Sequence, residues 1–334
     1  MEVTPGIYQL KVPIPDNPLG HLNAYLIEGD NGWLLVDTGW NTQDAFDSLN
    51  RQLAELNTSI EDITTIVVTH NHADHYGLAS RVKQASGAQL AMHRIDDQMA
   101  QDRFADLRKV WQRIGHWLVL NGMPAEDFVY IGSRYSSEKS VLRIPIAPAD
   151  IAFSGGEKIS TGSFDFDVLW TPGHSRGHIC LHETTKKILI SGDHVLPVIT
   201  PHISCRGDHN ENPLAQYIDS LKMVENLDVD IVLPAHEHIF YDLKERVGQI
   251  LEHHEQRMEA IFDNLGDVPK TGYEIASQVS WMPEEKEGGL TWDELDPSQR
   301  PPASMEALAH LQLMFSEGRV EKVVKDDITF FQVV

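Results

Sequence analysis

The chain has 334 residues, of which 41% are hydrophobic and 23% charged, a balance typical of a folded globular protein rather than a disordered or fibrous one. Its formal net charge of −23 opposes binding to a phosphate backbone, so nucleic acid is not expected as a partner. The 2 cysteines are too few for a disulfide framework, and neither a basic leader nor an apolar stretch of membrane-spanning length is visible. We therefore expect a cytoplasmic protein with no membrane partner.

The N-terminal part of the chain alternates strand patterns with helical patterns. Runs rich in β-formers are broken by Pro, Gly, Asn and Asp, whereas apolar residues at spacings of three and four mark the helices. This alternation favours an α/β fold built in layers. The predicted strands are 7–14, 22–28, 33–37, 63–69 and 89–93, and the predicted helices are 42–56, 78–86 and 96–120.

The C-terminal part returns to strands after Gly155 and then becomes helical. Three predicted helices and a terminal hairpin resemble a winged helix. We therefore expect two domains, with residues 1–248 forming the main one, including a helical insert at about 94–145, and 249–334 forming a winged-helix-like helical domain. The predicted strands are 166–170, 178–183, 187–191, 231–233, 320–324 and 328–333, and the predicted helices are 214–227, 250–265, 272–279 and 305–317.

The strongest chemical signal follows the buried strand at 63–69 and reads Thr69-His70-Asn71-His72-Ala73-Asp74-His75. Three imidazoles and a carboxylate in six positions would make a poor core, because each ring needs a polar partner when buried. Imidazole nitrogen and carboxylate oxygen are ligands that zinc, iron and manganese accept. The motif therefore indicates a metal site.

Three later strands each deliver one further ligand type into a turn marked by Gly or Pro. His174 follows Trp-Thr-Pro-Gly, Asp193 follows Ile-Ser-Gly, and His236 follows Leu-Pro-Ala. A single histidine after a strand is usually a surface or core residue. Four strand ends that each bear His or Asp are far more specific and strengthen the metal-site interpretation.

The full pattern resembles the metallo-β-lactamase superfamily, in particular its two-metal glyoxalase II-like branch and the β-lactamase-like protein 2 group. The likeness covers about residues 5–245 and implies a four-layer αββα sandwich with the metals at the edge between two sheets. It also implies a role for each matching residue: His70, His72 and His174 on the first ion, Asp74, His75 and His236 on the second, Asp193 as the bridge, and Asp37 as the support of a ligand histidine.

This resemblance predicts a hydrolase with two divalent transition-metal ions, expected to be zinc, with iron or manganese as alternatives. A hydroxide that bridges the ions would attack a small ester, thioester or lactone, and Asp74 would act as a catalytic residue by orienting that hydroxide. One alternative is a phosphodiesterase or ribonuclease that uses the same metals. Another is a DNA-binding or ligand-sensing regulator, and the C-terminal domain could also form a homodimer interface.

Several other side chains have minor expected roles. Tyr76 and His202 are candidates for protonating a leaving group, while His253 and His254 are expected to face solvent on a helix. Three aromatic residues of the insert are expected either to line an apolar pocket or to fill a helix core: Phe104, Trp111 and Trp117. Seven ligands already complete two sites, so supporting or surface roles are expected for His178, His194, His202, His209 and His238.

Overall fold

The computed structural model describes residues 1–127, 144–207, 211–266, 268–281 and 289–334. The predicted role of His209 and part of the predicted insert therefore lie outside the described residues. The chain divides into two compact units. The first unit consists of Met1–Ala105, the described part of Leu142–Pro201, and Ser220–Val247, and the second consists of the described parts of Asp106–Val141, His202–Asp219 and Gly248–Val334.

A seven-stranded sheet carries the N-terminal part of the first unit. Its strands lie in chain order, with antiparallel pairing from β1 to β4 and parallel pairing from β4 to β7. Parallel pairing places the carboxyl ends of β4, β5 and β6 at one edge, where ligands typically bind. The strands are β1 (Glu2–Thr4), β2 (Ile7–Pro13), β3 (His21–Gly29), β4 (Gly32–Val36), β5 (Ile63–Val67), β6 (Gln89–His93) and β7 (Ile151–Phe153).

A five-stranded sheet carries the rest of the first unit. Its order is β12-β11-β10-β9-β8, and only the β11–β12 pair is parallel among these strands. The strands β9, β11 and β12 end at the three sequence segments that were expected to deliver single ligands. The bounds are β8 (Lys158–Ser160), β9 (Asp165–Trp170), β10 (Ile179–Glu183), β11 (Ile188–Gly192) and β12 (Ile231–Pro234).

The described helices agree with most of the predicted ones, but one predicted helix is divided. Residues 96–120 were expected to be continuous, whereas Asp106 leaves the helical conformation (φ −153°, ψ 79°) and its side chain accepts from the backbone N–H of Lys109. This cap ends one helix and begins the next. The helices are α1 (Gln43–Glu55), α2 (Ala73–Tyr76), α3 (Ala79–Ser86), α4 (Arg94–Ala105), α5 (Leu107–Leu120), α6 (Pro213–Glu225), α7 (Leu243–Asp263), α8 (Gly272–Ala276) and α9 (Arg300–Ser316), with a 3-10 turn at Ile60–Asp62.

Two apolar cores explain the layering of the first unit. One core joins side chains of both sheets, such as Ile27 and Val67 from the first and Phe166 and Leu181 from the second. The other core lies on the opposite face of the seven-stranded sheet and includes Leu49 of α1 together with residues of α3. Each fully buried aliphatic side chain contributes about 1.5–3 kcal/mol relative to exposure. The order is therefore helices, first sheet, second sheet.

The second unit contains a three-stranded antiparallel sheet in the order β13-β15-β14, formed by β13 (Lys270–Thr271), β14 (Val320–Lys325) and β15 (Ile328–Val333). The predicted terminal hairpin is confirmed, since Val320 pairs with Val333 and Lys325 with Ile328. Within the described part of the chain, no helix has the length and apolar character needed to span a membrane.

Candidate metal centre

The ends of four strands position the residues expected to bind metal. The loop after β5 leads into the short helix α2, so that His70 and His72 precede this helix while Asp74 and His75 lie within it. His174, Asp193 and His236 follow β9, β11 and β12, as the sequence pattern indicated. The structure brings all seven side chains together in two clusters. The first cluster is His70, His72, His174 and Asp193, and the second cluster is Asp74, His75 and His236.

The first cluster joins loops that are far apart in sequence. Nδ1 of His72 lies 2.9 Å from Nε2 of His70 and 3.0 Å from Nε2 of His174. The His70 ring is fully buried. Three ring nitrogens therefore converge on one small volume.

The second cluster centres on two buried histidines. Nε2 of His236 lies 3.4 Å from Oδ2 of Asp74, and Nε2 of His75 lies 3.9 Å from the same oxygen. The Asp74 side chain retains 17% of its exposure, while the His75 side chain is fully buried. Asp74 is thus the member of this cluster that solvent reaches most easily.

Asp193 lies between the two clusters. Its Oδ2 is 3.4 Å from Nε2 of His174 and 3.4 Å from Nε2 of His75, whereas its Oδ1 is 3.4 Å from Nε2 of His236. A single carboxylate therefore faces histidines of both clusters. This is the position expected of a bridging ligand.

The polar atoms of the centre fit metal ions better than they fit one another. Nδ1 of His72 faces two ring nitrogens at once and can donate a proton to only one of them. Nε2 of His75, Nε2 of His236 and Oδ1 of Asp193 are buried and make no hydrogen bond. Buried polar atoms without partners are costly, and a cation bound between them would satisfy them.

The electrostatics of the centre favour the ligand forms of some residues. Burial, followed by the neighbouring His75 and His72, holds the pKa of His70 well below its usual value, so this ring is neutral. Burial opposes ionisation of Asp193, but His75 and His236 outweigh it and lower the pKa of this carboxyl well below its usual range. Neutral imidazole and ionised carboxylate are the forms that bind metal.

His75 has the opposite tendency in the metal-free protein. Burial disfavours its charged form, but the carboxylates of Asp193 and Asp37 outweigh burial and raise the pKa of His75 well above its usual value. A protonated His75 then balances the surrounding negative charge. Binding of a cation would replace that proton, so we expect metal uptake at this cluster to release it.

Asp37 supports the second cluster through a contact with His75. It directly follows β4, and its Oδ2 lies 2.8 Å from Nδ1 of His75. Its Oδ1 accepts from the backbone N–H of Thr69 at 2.8 Å, and the Thr69 hydroxyl donates to the same carboxylate. With Nδ1–H donating to Asp37, His75 presents Nε2 towards Asp74 and Asp193. The predicted supporting contact is therefore present in the geometry.

One supporting residue received no specific role from the sequence. His178 is fully buried, and its Nε2 accepts from the backbone N–H of Asp193 at 3.1 Å. Its other ring nitrogen lies 2.8 Å from the hydroxyl of Thr171, to which it donates. His178 thus fixes the backbone that carries the central carboxylate. Its position four residues after His174 was the available signal, but only the folded chain reveals its partner.

The structure corrects or narrows several minor expectations. The hydroxyl of Tyr76 is buried, donates to the carbonyl of Ala147 and accepts from the N–H of the same residue, so Tyr76 is not free to protonate a leaving group. His254 is buried rather than solvent-facing, as its exposure is 2%. Nε2 of His202 lies 3.0 Å from the carbonyl of Pro302 within the second unit.

The aromatic residues of the insert do not share one environment. The ring of Phe104 stacks on that of Tyr76, with the ring centroids 5.5 Å apart, and packs against the core of the first unit. Trp117 belongs to the second unit and lies against Gly207, where an added Cβ would come within 2.4 Å of its ring. Phe104 is thus a packing residue, in agreement with the alternative of a helix core.

Known proteins that resemble this chain support the same interpretation of the fold. A "Probable metallo-hydrolase YqjP" of Bacillus subtilis (strain 168) is 27% identical over 99% of both chains. A "Beta-lactamase-like protein 2 homolog" of Caenorhabditis elegans is 23% identical over 77% of this chain and 70% of its own length. A "Hydroxyacylglutathione hydrolase GloC" of Haemophilus influenzae is 26% identical over 48% of this chain and 59% of its own length.

Two solved structures align with this chain over its full length. A metallo-beta-lactamase family protein from Thermus thermophilus aligns with a TM-score of 0.81 and 27% identity, covering 100% of both chains. A beta-lactamase domain protein from Burkholderia ambifaria aligns with a TM-score of 0.84 and 26% identity, covering 100% of this chain and 94% of that one. The family model for the metallo-beta-lactamase superfamily matches residues 18–236, a span that contains every member of both clusters. With its mixed α/β fold and its paired His and Asp clusters, the chain belongs to the metallo-beta-lactamase superfamily.

Proposed function

We propose that this protein is a binuclear metal-dependent hydrolase that acts on a small carbonyl ester, thioester or lactone. The observation that carries the proposal is the position of Asp193, whose two oxygens face histidines of both clusters at 3.4 Å. One carboxylate shared in this way suits two neighbouring cations rather than one.

The hydroxyl groups beside the clusters support attack by water rather than by a side chain. Thr69 donates to the carboxylate of Asp37 at 2.9 Å, and Ser175 donates to that of Asp96 at 2.7 Å. Ser191 donates to a backbone carbonyl at 2.9 Å. Each of these hydroxyls is buried and already donates to an acceptor of the chain. The carboxylates that hold Thr69 and Ser175 also accept backbone N–H groups, so they act as structural acceptors.

Two divalent ions, when bound, supply an activated water near neutral pH and polarise the oxygen of the substrate. The chain itself would then position the water. Asp74 is suited to this task, since it retains partial exposure at the second cluster. Burial opposes its charge, but His75 and His236 outweigh burial and lower the pKa of Asp74, so its carboxylate can accept a hydrogen bond from the water.

The charge of the protein favours a small substrate over a nucleic acid. With a net charge of −23, binding of a phosphate backbone would require free basic groups near the centre. The hydroxyacylglutathione hydrolase of Haemophilus influenzae, named for a thioester substrate, supports the choice of substrate class. Several lysines of the first unit are already paired with aspartates: Lys83 with Asp150, Lys158 with Asp167, and Lys187 with Asp228.

The finer features of cofactor and fold belong to the same proposal. Zinc is the metal we favour, because mixed imidazole and carboxylate ligands suit it, although iron and manganese accept the same set.

A second outer helix layer would complete the αββα sandwich of the superfamily. The hairpin β14–β15 and the helix α9 support a winged-helix-like second unit. A homodimer through that unit remains a prediction.

The test combines metal analysis with a substrate panel. Protein purified without added metal is assayed for zinc, iron and manganese and then offered chromogenic esters, acyl thioesters, lactones and a bis-phosphodiester. We expect turnover of at least one carbonyl substrate, its loss on chelation and its return with zinc. Asp74→Ala is expected to lower kcat about 100-fold or more. Asp97→Asn is the control, because Asp97 belongs to neither cluster and accepts from the backbone N–H of Ala149.

Three results would overturn separate parts of the proposal. A protein that retains no transition metal would remove the binuclear function altogether. Turnover confined to the phosphodiester would keep the metals and replace the substrate class. Asp74→Ala with full metal content and undiminished kcat would exclude the catalytic role of Asp74.

A further inference from the structure

Asp96 is a buried carboxylate of α4 that contacts the loops carrying ligands of the first cluster. Its side chain has no exposed surface, and it lies in the first turn of α4. Its Oδ2 accepts from the backbone N–H of Asn71 at 2.8 Å and from the hydroxyl of Ser175 at 2.7 Å. Its Oδ1 accepts from the backbone N–H of Gly177 at 2.6 Å. Three donors from two separate loops thus meet on one carboxylate.

These two loops carry ligands of the first cluster. Asn71 stands between His70 and His72 in the loop after β5, which belongs to the first sheet. Ser175 directly follows His174 in the loop after β9, which belongs to the second sheet. Asp96 therefore joins the two loops whose histidines, 102 residues apart in sequence, approach to 3.0 Å.

The packing around this carboxylate is close enough to fix the loops. A Cβ added to Gly177 would lie 2.7 Å from the backbone nitrogen of Asp96 and 2.8 Å from its Oδ1, so only glycine permits the approach. From the last turn of α4, Arg103 also donates to the side-chain oxygen of Asn71 at 3.3 Å. The helix α4 therefore holds the loop of His72 at two points.

The second cluster has a different support. Its His75 is held by Asp37, and none of the three groups that donate to Asp96 belongs to a residue of the second cluster. The contacts of Asp96 are confined to neighbours of His70, His72 and His174. An effect of Asp96 on metal binding should consequently fall on one cluster.

We propose that Asp96 is a positioning residue that sets the distance between His72 and His174 and thereby the metal affinity of the first cluster. This inference rests on the proposed metal-dependent function. Without the carboxylate, the two loops lose their common acceptor and the two ligand histidines are no longer fixed relative to each other. Residues that orient metal ligands from outside typically change affinity about 10- to 100-fold when replaced.

The experiment measures zinc affinity in proteins that keep only one complete cluster. The background His236→Ala retains the first cluster, and the background His174→Ala retains the second. In each background, zinc dissociation constants are measured by competition with a chromophoric chelator, with and without Asp96→Asn. The asparagine keeps the size of the side chain but presents an NH2 group to at least one of the three donors.

We expect Asp96→Asn to weaken zinc binding about 10- to 100-fold in the His236→Ala background and less than about threefold in the His174→Ala background. Asp97→Asn is the matched control, because Asp97 shares the first turn of α4 and also accepts a backbone N–H, that of Ala149. It should leave both affinities unchanged. Ser175→Ala, which removes one donor of the three, should give an intermediate loss in the first background.

The outcomes separate this inference from the proposed function. If the unsubstituted protein binds none of zinc, iron and manganese, the metal-dependent function fails. If zinc binds normally and Asp96→Asn leaves the first cluster unaffected, the role of Asp96 fails alone. An equal loss in both backgrounds would indicate general destabilisation and would also reject the positioning role. Should Asp96→Asn not fold, Ser175→Ala supplies the same comparison.

Discussion

Replacement of Asp37 by asparagine tests how the second cluster keeps its histidine in the form that binds metal. Asp37 is buried, with an exposure of 2%, and it lies in the left-handed region at φ +60°, which Asn tolerates as well as Asp. Its Oδ1 accepts from the N–H of Thr69 at 2.8 Å, and its Oδ2 lies 2.8 Å from Nδ1 of His75. The substitution therefore preserves size and backbone while it removes one acceptor and the charge.

The consequence follows from the proton on His75. If the asparagine oxygen keeps the N–H of Thr69, its NH2 group faces Nδ1 of His75. Nδ1 must then be unprotonated, and in the neutral ring the proton moves to Nε2, the nitrogen that faces Asp74 and Asp193. A hydrogen bond to a charged group contributes about 1.5–3 kcal/mol. That loss corresponds to roughly a 10- to 100-fold weaker zinc affinity.

The assay is the zinc competition in the single-cluster backgrounds. In the His174→Ala background, where only the second cluster is complete, we expect Asp37→Asn to weaken zinc binding about 10- to 100-fold. This is the typical effect of replacing a residue that orients a metal ligand. Where only the first cluster is complete, the change should stay below about threefold. This pattern is the reverse of that expected for Asp96→Asn. Unchanged affinity in the His174→Ala background would refute the argument from the proton position of His75.

Two further predictions concern residues outside the metal clusters. Tyr76→Phe removes both hydrogen bonds to Ala147, so we expect the free energy of unfolding to fall by about 1–3 kcal/mol. The kcat should stay within about twofold of that of the unsubstituted protein. A large fall in kcat at full metal content would restore Tyr76 as a proton donor. His310 in the second unit is fully buried, and burial lowers its pKa from 6.5 to about 4, against the opposing charge of Glu306. Between pH 4 and pH 6.5, this histidine is protonated more in the unfolded chain than in the folded protein. The group therefore leaves the free energy of unfolding unchanged above pH 6.5 and lowers it by about 3 kcal/mol in total as the pH falls to 4. Urea unfolding from pH 7 to 4.5 should give a shallower loss in His310→Gln than in the unsubstituted protein, and identical slopes would contradict the assignment.

The ligand residues could be predicted from sequence because each one ends a local pattern. A strand of apolar residues that stops at Gly or Pro and then presents His or Asp is visible within about ten positions. Four such endings, beginning with the run from His70 to His75, indicated a metal centre before any contact was known. The alternation of strands and helices likewise indicated the α/β fold.

Apart from Asp37, whose supporting role the family resemblance implied, the supports of those ligands could not be predicted in the same way. The contacts of Asp96 with Asn71 and Ser175 span 25 and 79 residues, and no local pattern records them. The same holds for His178, whose partner is a backbone N–H 15 residues away. Such contacts depend on how two sheets pack, which periodicity does not determine.

Burial was the other property that only the tertiary structure decided. His254 stands on a helix among polar residues and was expected to face solvent, yet it is buried with its Nδ1 3.3 Å from Nε2 of His310. Asp106 sits inside an apolar helical pattern and nevertheless divides it, because its side chain caps the helix that follows. The sequence alone determined which residue types could hold metal and at which strand ends they stand. The packing of distant segments decided which groups orient them, because hydrogen bonds between loops form only after the sheets have met.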